Sequence, residues 1–363
     1  MSFIQYYKVG DEKFYNKFRA FDYMMNKNLT MEYIMDADFI KSLEDKPRPK
    51  NNDKHLIREL ILKGMKNLRL KHKKLRLALG GGTDSWTILK ICMENNLYID
   101  EVACGLVSFT GDVRADLEYL PALRYAKKFE GKLIGCIKTM PVTKQSLEYV
   151  NDPTWFKKTN GPSLPIRPFF YHLAKEVMNS DPDYVNITGM EKPTILVENG
   201  KMFWVQIDVN SIGEWMGIEN HQPLFYDKNN PELTIAMTYA FIEALPSNYF
   251  QKDGIYRYES LQWSHQDNIL TSLGFKLDKA WLNHHLLGKK LYDMNAKTLH
   301  FIKELQKYGM QSFLDKWYHT MSIIKETYKD IPHGLETKGN FVKTVGRFSQ
   351  KIPIYKNSFG KQI

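Results

Sequence analysis

The sequence predicts an α/β protein in which a parallel sheet carries helices on both faces and is followed by an α-helical C-terminal part. In the middle of the chain, short apolar runs bounded by turn residues alternate with segments of helical periodicity, which is typical of parallel sheets. After residue 240 the strand pattern fades and helical periodicity takes over. With 363 residues, 43% of them hydrophobic, the chain is long enough to bury a sizeable core.

The predicted elements follow one another in a regular order. Apolar spacing within 1–45 indicates helices, and the polar, proline-bearing run 45–53 indicates a linker. Strands are predicted at 75–79, 102–109, 132–138 and 184–188. Helices are predicted at 56–68, 86–92, 115–129, 169–178, 261–273, 277–287 and 291–313.

We therefore expect the chain to divide into four parts. They are an N-terminal helical segment with its linker (1–55), a ligand-binding α/β domain (56–240), a helical C-terminal region (241–337) and a basic aromatic tail (338–363). Ligands of parallel sheets bind at the carboxyl ends of the strands, so the turn after the first strand of the α/β domain is the first place to look for a site.

That turn is rich in glycine and lies between a predicted strand and a predicted helix. Its residues are Gly80, Gly81, Gly82, Thr83, Asp84 and Ser85. Glycines let backbone N–H groups approach an anion closely, and the helix N-terminus adds partial positive charge. The turn has neither the lysine of a Walker loop nor GxGxxG spacing. A carboxylate such as Asp84 is favourable here only if a cation shares the site, and Mg²⁺ bound to a polyphosphate supplies one.

The turn resembles the SGGxDS signature of the PP-loop (N-type) ATP pyrophosphatases at five of six positions, with Gly80 in place of the leading serine. The resemblance implies a HUP fold, also called adenine nucleotide alpha hydrolase-like, for 56–240. It also implies an enzyme that binds ATP and Mg²⁺, retains pyrophosphate and transfers AMP. Asp84 would then contact Mg²⁺–pyrophosphate, and Ser85 would contact phosphate oxygens with the loop amides. The alternative is a glycine-rich turn, capped by Asp84 or Ser85, that binds no ligand.

The resemblance implies further roles outside the turn. Val107 and Ser108, at the end of the second predicted strand, would hold adenine through strand backbone groups, although Ser108 could equally be a strand-end turn residue. Arg167 lies in a proline-restrained loop that opens a predicted helix. It matches an arginine that these ligases place before the fourth strand and would bind phosphate or position the substrate. The alternative for Arg167 is a surface arginine.

An acid and a lysine follow the fourth predicted strand. Glu191 resembles the acid that contacts metal-bound pyrophosphate in the asparagine-synthetase-like branch, and Asp208 is a candidate for the second acid of that branch. Lys192 would neutralise charge at the α-phosphate, and Glu191 would accept a proton from the nucleophile. The alternative is a hairpin turning at Asn199-Gly200, a type I′ signal, with Glu191 and Lys192 as solvated edge charges.

Within this resemblance, the accessory motifs that the sequence lacks indicate which branch of the family to expect. It has no cysteine pair of sulfur-inserting members, no zinc-binding cysteine cluster and no N-terminal glutaminase cysteine. Over residues 75–208 the chain resembles the asparagine synthase C-terminal domain, of which short, glutaminase-free versions occur in phages. That resemblance implies an adenylating ligase with a small-molecule substrate and an amine donor, either free or delivered by a separate glutaminase. Two alternatives stay open: a tRNA- or DNA-base-modifying enzyme, and an inactive ATP-binding protein.

The distribution of charge indicates which partners the protein has, and the use of cysteine indicates its compartment. The net charge is +10, and the tail 338–363 supplies six cations without an acid, interleaved with aromatic residues. Such a tail suits a nucleic acid, or it folds back and buries its aromatics. Cys92, Cys104 and Cys136 lie in predicted core elements, which indicates buried thiols and a reducing cytoplasm, the host's if the chain is phage-encoded. With no long apolar segment and no signal-like start, we expect no membrane association.

Overall fold

A computed structural model describes the architecture of most of the chain. The residues that it describes are 5–44, 46, 49, 54–80, 83–106, 122–141, 145–158, 177–189, 192–206, 220–246, 248–256, 302–303, 305–328, 335–338, 341–344 and 349–354.

The elements are numbered in chain order. The strands are β1 (Gln5–Val9), β2 (Glu12–Phe14), β3 (Met31–Met35), β4 (Lys74–Leu79), β5 (Ile99–Leu106), β6 (Ile134–Pro141), β7 (Tyr184–Thr188), β8 (Thr194–Glu198), β9 (Lys201–Val205), β10 (His221–Pro223), β11 (Gly254–Tyr256), β12 (Leu335–Lys338), β13 (Phe341–Thr344) and β14 (Ile352–Pro353). The helices are α1 (Lys17–Lys27), α2 (Ala37–Glu44), α3 (Lys54–Lys71), α4 (Thr83–Glu94), α5 (Pro231–Glu243) and α6 (Gln311–Thr327). Residues 122–127 are also helical, and short 3-10 helices cover Gln145–Asn151, Trp155–Lys157 and Leu224–Tyr226.

The central sheet has five strands in the order β10-β7-β4-β5-β6, and every neighbouring pair is parallel. This confirms the prediction of an α/β protein with a parallel sheet. The chain builds outward from β4 to β6, then crosses back to β7 on the other side of β4. That reversal makes the carboxyl ends of β4 and β7 a topological switch point, where open α/β sheets bind their ligands.

The strand predictions are accurate for β4 and β7 and shifted for β5 and β6. The prediction at 184–188 matches β7, and β4 begins one residue before the predicted 75–79. Strand β5 begins three residues before the predicted 102, because Ile99 already pairs with Ile134. Strand β6 continues to Pro141, where it pairs with Leu106.

The two faces of β4 are packed differently. Leu75, Leu77 and Leu79 are buried in the main core together with side chains of α3, α4 and α5. Between them Arg76, only 1% exposed, points to the opposite face, as strand geometry requires. That face meets the end of the helical stretch at 177–178, and the remainder of the helix predicted at 169–178 lies outside the described residues.

Arg76 is the centre of a buried polar network that joins three strands. Its Nε donates to Glu101 of β5 at 2.6 Å, and its Nη1 donates to Asn186 of β7 at 3.2 Å. The same Nη1 donates to the carbonyl oxygens of Val177 and Met178, at 3.0 and 3.1 Å. A cation at carbonyls that close a helical stretch is favourable, so the network fastens that stretch to the sheet.

The N-terminal segment differs from its helical prediction. Strands β1, β2 and β3 form an antiparallel sheet in the order β2-β1-β3, so the helical prediction for 1–55 is wrong for these residues. Burial alternates along β1 and β3, which is the period of a strand. Helix α1 does form where Phe18 and Phe21 repeat; Asn16 caps its start and Asn28, at φ 52°, ends it.

A second core brings together segments that are distant in sequence. Side chains of α1, of 145–157 and of α6 pack together, with Trp155 at 1% and Trp317 at 2% exposed. The indole N–H of Trp155 donates to Thr320 of α6 at 3.2 Å. The predicted helix 291–313 is interrupted at Gly309, whose φ of 72° ends the helical turn before α6 begins.

The C-terminal third is not wholly helical. Strand β11 joins an antiparallel sheet of order β11-β8-β9-β14, and β12 pairs with β13 as a hairpin. Strands β11 and β12 contradict the helical prediction for 241–337 at their positions, while α6 agrees with it. The helices predicted at 261–273 and 277–287 lie outside the described residues.

The tail 338–363 folds back over part of its length. Strand β14 pairs with β9, and Ile352 and Ile354 are buried in the main core. The exposed Lys351 ammonium lies 2.6 Å from the Glu198 carboxylate. The side chains of the tail's aromatic residues lie outside the described part. Within that part of the chain, no helix is both long enough and apolar enough to cross a bilayer.

We predict that Arg76→Met lowers the free energy of unfolding by about 3–5 kcal/mol, because it leaves the buried Glu101 carboxylate without its cation. Equilibrium urea unfolding measures the change. Arg58→Met is the matched control, since Arg58 pairs with Glu94 on the surface, with side chains 30% and 50% exposed. The control should lose less than about 1 kcal/mol. Equal losses in the two variants would contradict a structural role for the Arg76 network.

Candidate functional site

Two loops meet at the switch point of the central sheet. One runs from Gly80 into the first turn of α4, and the other runs from Gly189 to Lys192 between β7 and β8. Because β4 and β7 are adjacent and parallel, both loops leave the same edge of the sheet. The candidate site lies where they touch.

An ion pair between Asp84 and Lys192 joins the two loops. Lys192 Nζ lies 2.6 Å from Asp84 Oδ1 and 2.8 Å from Asp84 Oδ2, so the ammonium contacts both carboxylate oxygens. The Lys192 side chain is 6% exposed and that of Asp84 is 19% exposed. The pair is therefore largely dry on the lysine side and open to solvent on the carboxylate side.

The backbone of Lys192 is held in place just before the start of β8. Strands β8 and β9 form the hairpin that Asn199-Gly200 predicts, with φ of 52° and 69°, as a type I′ turn requires. The hairpin is confirmed, but Lys192 is not the solvated edge charge expected with it. Its carbonyl oxygen accepts a hydrogen bond from the buried Tyr226 hydroxyl at 3.2 Å. The backbone at Lys192 is thus fixed while its side chain reaches Asp84.

Gly189 allows the two loops to come close. A Cβ at this position would lie 2.5 Å from Ile88 Cδ1 and 3.1 Å from the carbonyl carbon of Asp84. The end of β7 therefore crosses the first turn of α4 at a distance that only glycine permits without rearrangement. This close crossing brings Lys192 within reach of the Asp84 carboxylate.

The start of the glycine-rich turn is closed by Ser85. The Gly80 N–H donates to Ser85 Oγ at 3.2 Å, and Ser85 is 7% exposed. Ser85 thus shapes the turn, which is compatible with the predicted phosphate contact because its hydroxyl hydrogen can still be donated. A Cβ at Gly80 would meet no heavy atom within 4 Å, so the serine of the family signature has room there.

Sequence reasoning did not identify His221 and Thr188. His221 Nε2 and the Thr188 hydroxyl share a hydrogen bond of 2.7 Å, one residue before Gly189. Burial lowers the pKa of His221 to about 3, so the ring is neutral at physiological pH. It braces the end of β7 without adding charge near the Asp84–Lys192 pair. A lone histidine 33 residues away in sequence gives no local signal for this contact.

The structure brings together part of the predicted site. Gly80, Asp84, Ser85 and Lys192 converge at the switch point, and Thr83 begins α4 beside them. The other predicted site residues lie outside the described part of the chain, so their placement stays a prediction; they are Gly81, Gly82, Val107, Ser108, Arg167, Glu191 and the additional acid Asp208.

Two of the three thiols are buried as predicted. Burial raises the pKa of Cys92 and of Cys104 to about 12, so both are unreactive thiols. Cys136 is exposed, which corrects the prediction of a buried thiol. It lies on β6, the edge strand of the central sheet, where fewer neighbours cover it.

The donor set suits a metal ion that arrives with phosphate oxygens. Among the described residues, no group of three or more His, Cys, Asp and Glu side chains is placed to hold a metal. Asp84 offers one partly exposed carboxylate at the switch point. Mg²⁺ is commonly bound by one or two carboxylates together with substrate phosphates, so Asp84 fits that mode and not a resident all-protein site.

We predict that the free energy of unfolding falls by about 2 kcal/mol between pH 7 and pH 5 because of His221. The folded pKa of His221, about 3, lies below that of an unfolded histidine, so the unfolded chain binds more protons in this range. The contribution of His221 to the free energy of unfolding therefore rises with pH between about pH 3 and pH 6.5. Urea unfolding at both pH values measures it. The pH dependence should shrink in His221→Gln and persist in His319→Gln, a change at an exposed histidine.

We predict that Gly189→Ala lowers the free energy of unfolding by about 1–3 kcal/mol, because the new methyl group overlaps Ile88 and the Asp84 backbone. Adding Ile88→Val removes the Cδ1 atom that lies nearest to the new methyl group and should recover part of the lost free energy of unfolding. Gly80→Ala is the control, since a Cβ there meets open space. Strictly additive effects of Gly189→Ala and Ile88→Val in a double-mutant cycle would contradict the close crossing.

Comparison with known proteins does not assign the chain to a family. No protein-family model matches it, and no curated protein matches it. The likeness to PP-loop enzymes therefore rests on the motif at 80–85 and on its setting between β4 and α4.

Proposed function

We propose that the protein is an ATP-dependent ligase, an amidotransferase-type synthetase that adenylates a small-molecule substrate for attack by an amine or ammonia. The observation that carries the proposal is the Asp84–Lys192 pair at the switch point of a doubly wound parallel sheet. It places a carboxylate suited to metal-bound pyrophosphate beside an ammonium suited to phosphate oxygens, in the crevice where such sheets bind ligands. The motif at 80–85 supports ATP as the ligand.

The first step of the proposed reaction transfers AMP to the substrate. A substrate carboxylate or amide oxygen attacks the α-phosphorus of ATP, the bond to the β-phosphate oxygen breaks, and pyrophosphate leaves. Lys192 neutralises the charge that builds up on the phosphate oxygens. The N-terminal turn of α4, with Ser85, holds the retained pyrophosphate. Mg²⁺, when bound with ATP, supplies positive charge to that pyrophosphate, and Asp84 is the residue that would hold it.

The second step joins the amine to the activated substrate. The amine nitrogen attacks the adenylated carbon, the bond to the AMP oxygen breaks, and AMP leaves with the bonding electrons. Glu191, next to Lys192 in sequence, is proposed to accept the proton lost by the nitrogen. Arg167 is proposed to position phosphate or substrate, and the backbone at Val107 and Ser108 to hold adenine, as the family resemblance implies. Free ammonia, an amine substrate or a separate glutaminase would supply the nitrogen.

Two observations favour a second candidate, an ATP-binding protein without turnover. The Asp84 carboxylate is already neutralised by Lys192, and Gly80 lacks the hydroxyl of the family signature.

Nucleic-acid modification is less favoured, because its main support was the basic tail. Ile352 and Ile354 of that tail are buried and Lys351 is paired with Glu198.

We predict that the wild-type protein exchanges labelled pyrophosphate into ATP in the presence of its substrate and Mg²⁺, before any amine is added. Exchange reports reversible adenylation directly, so it does not depend on identifying the amine. A panel of amino acids and other carboxylates would be screened. Asp84→Asn should lower the exchange rate by at least about 100-fold, since it removes the charge that the metal-bound pyrophosphate requires.

The controls separate the candidates. Asp38→Asn changes a carboxylate that is 78% exposed and should leave the exchange rate unaffected. Calorimetric binding of Mg·ATP without exchange for any substrate would favour the ATP-binding candidate over the ligase. No binding of Mg·ATP to the folded wild-type protein would refute both.

A further inference from the structure

The Asp84–Lys192 pair carries an inference about how a metal ion enters the proposed site. Lys192 Nζ lies within hydrogen-bond distance of both oxygens of Asp84, and the lysine side chain is only 6% exposed. A Mg²⁺ ion binds oxygen at about 2.0–2.1 Å. An ammonium at 2.6 and 2.8 Å from the same oxygens occupies the position from which such an ion would chelate both of them.

A divalent ion arriving alone is therefore at a disadvantage. To chelate both oxygens of Asp84 it must displace the Lys192 ammonium and separate that largely buried charge from the carboxylate; to bind on the solvent side it must stay beside the ammonium. Removing one partner of a largely buried ion pair is strongly unfavourable, because the remaining charge has lost its hydration as well. Placing a divalent cation beside the ammonium adds like-charge repulsion.

A polyphosphate removes this disadvantage. Its oxygens provide several negative charges, so they can accept the Lys192 ammonium and coordinate the metal ion at the same time. The Lys192 side chain has four methylene groups and can swing, while its backbone stays fixed by the Tyr226 hydrogen bond and by β8. The exchange of partners thus requires a side-chain movement and no rearrangement of the sheet.

We propose that Lys192 is the resting counter-ion of Asp84 and that a divalent cation binds there only together with a polyphosphate. The inference rests on the proposed nucleotide site but goes beyond it, because it specifies the linkage between the two ligands. The metal ion and the polyphosphate bind with positive cooperativity, and Lys192 determines how large that cooperativity is. In the resting protein the ammonium takes the place of the metal ion.

The test measures Mn²⁺ binding by water-proton relaxation, which reports metal held on the slowly tumbling protein. Mn²⁺ alone should bind Lys192→Met at least about tenfold more tightly than wild type, because the variant lacks the ammonium that competes with the metal ion for the Asp84 carboxylate. The double variant Lys192→Met with Asp84→Asn should lose the gain. Lys228→Met is the matched control, since it removes an ammonium paired with Asp38 on the surface. If Lys192→Met does not fold, Lys192→Gln replaces it.

The same titration in the presence of inorganic pyrophosphate tests the second half of the proposal. Wild type should bind Mn²⁺ at least about tenfold more tightly with pyrophosphate than without it, and Lys192→Met should show a smaller ratio. Equal Mn²⁺ affinities of wild type and Lys192→Met without pyrophosphate would overturn the proposal, and so would the same ratio in both proteins. Cooperative binding without pyrophosphate exchange into ATP would leave this inference standing and refute the ligase function alone.

Discussion

Arg76 places a full positive charge at the centre of the sheet, and the sheet can form only if that charge is neutralised. Glu101 and Asn186 accept hydrogen bonds from it on the two neighbouring strands, and so do the carbonyl oxygens of 177 and 178 at the end of the helical stretch. The network therefore fixes the lateral order of β5, β4 and β7 in the same contacts that satisfy the guanidinium. Because these contacts need β7 beside β4, they also help to hold the switch point in place.

The candidate site depends on that strand order. It begins four residues after Arg76, just beyond the end of β4. Gly80 leaves the sheet beside Gly189 because β4 and β7 are neighbours, and the absence of a Cβ at Gly189 lets the two loops touch. Asp84 and Lys192 are 108 residues apart in sequence, so strand order alone makes them partners. Thr188 and His221 then brace the end of β7 with a neutral hydrogen bond. A charged histidine there would alter the electrostatic balance of the pair.

Sequence reasoning could predict what is local and could not predict what depends on strand order. The strands around Leu77 and Val185 are apolar runs bounded by turn residues, and the turn at Asn199-Gly200 is set by its own φ angles. The strands of the N-terminal sheet have five residues or fewer, so their alternation was lost beside the stronger helical repeat of α1. The contact between His221 and Thr188 follows from the parallel pairing of β10 with β7, which no local pattern encodes.

The hairpin of the alternative interpretation of Lys192 is present, but the solvated lysine expected with it is not. The hairpin begins two residues after Lys192, and Tyr226 donates a hydrogen bond to the Lys192 carbonyl oxygen while the side chain reaches Asp84. A buried ion pair is weak support for a stabilising role, because desolvation offsets much of the attraction. Arg76 avoids that loss through four hydrogen bonds in a dry core, whereas Asp84 keeps one side open to solvent. A carboxylate that is paired on its protein side and accessible on its solvent side is placed to exchange partners, which a purely structural pair does not need.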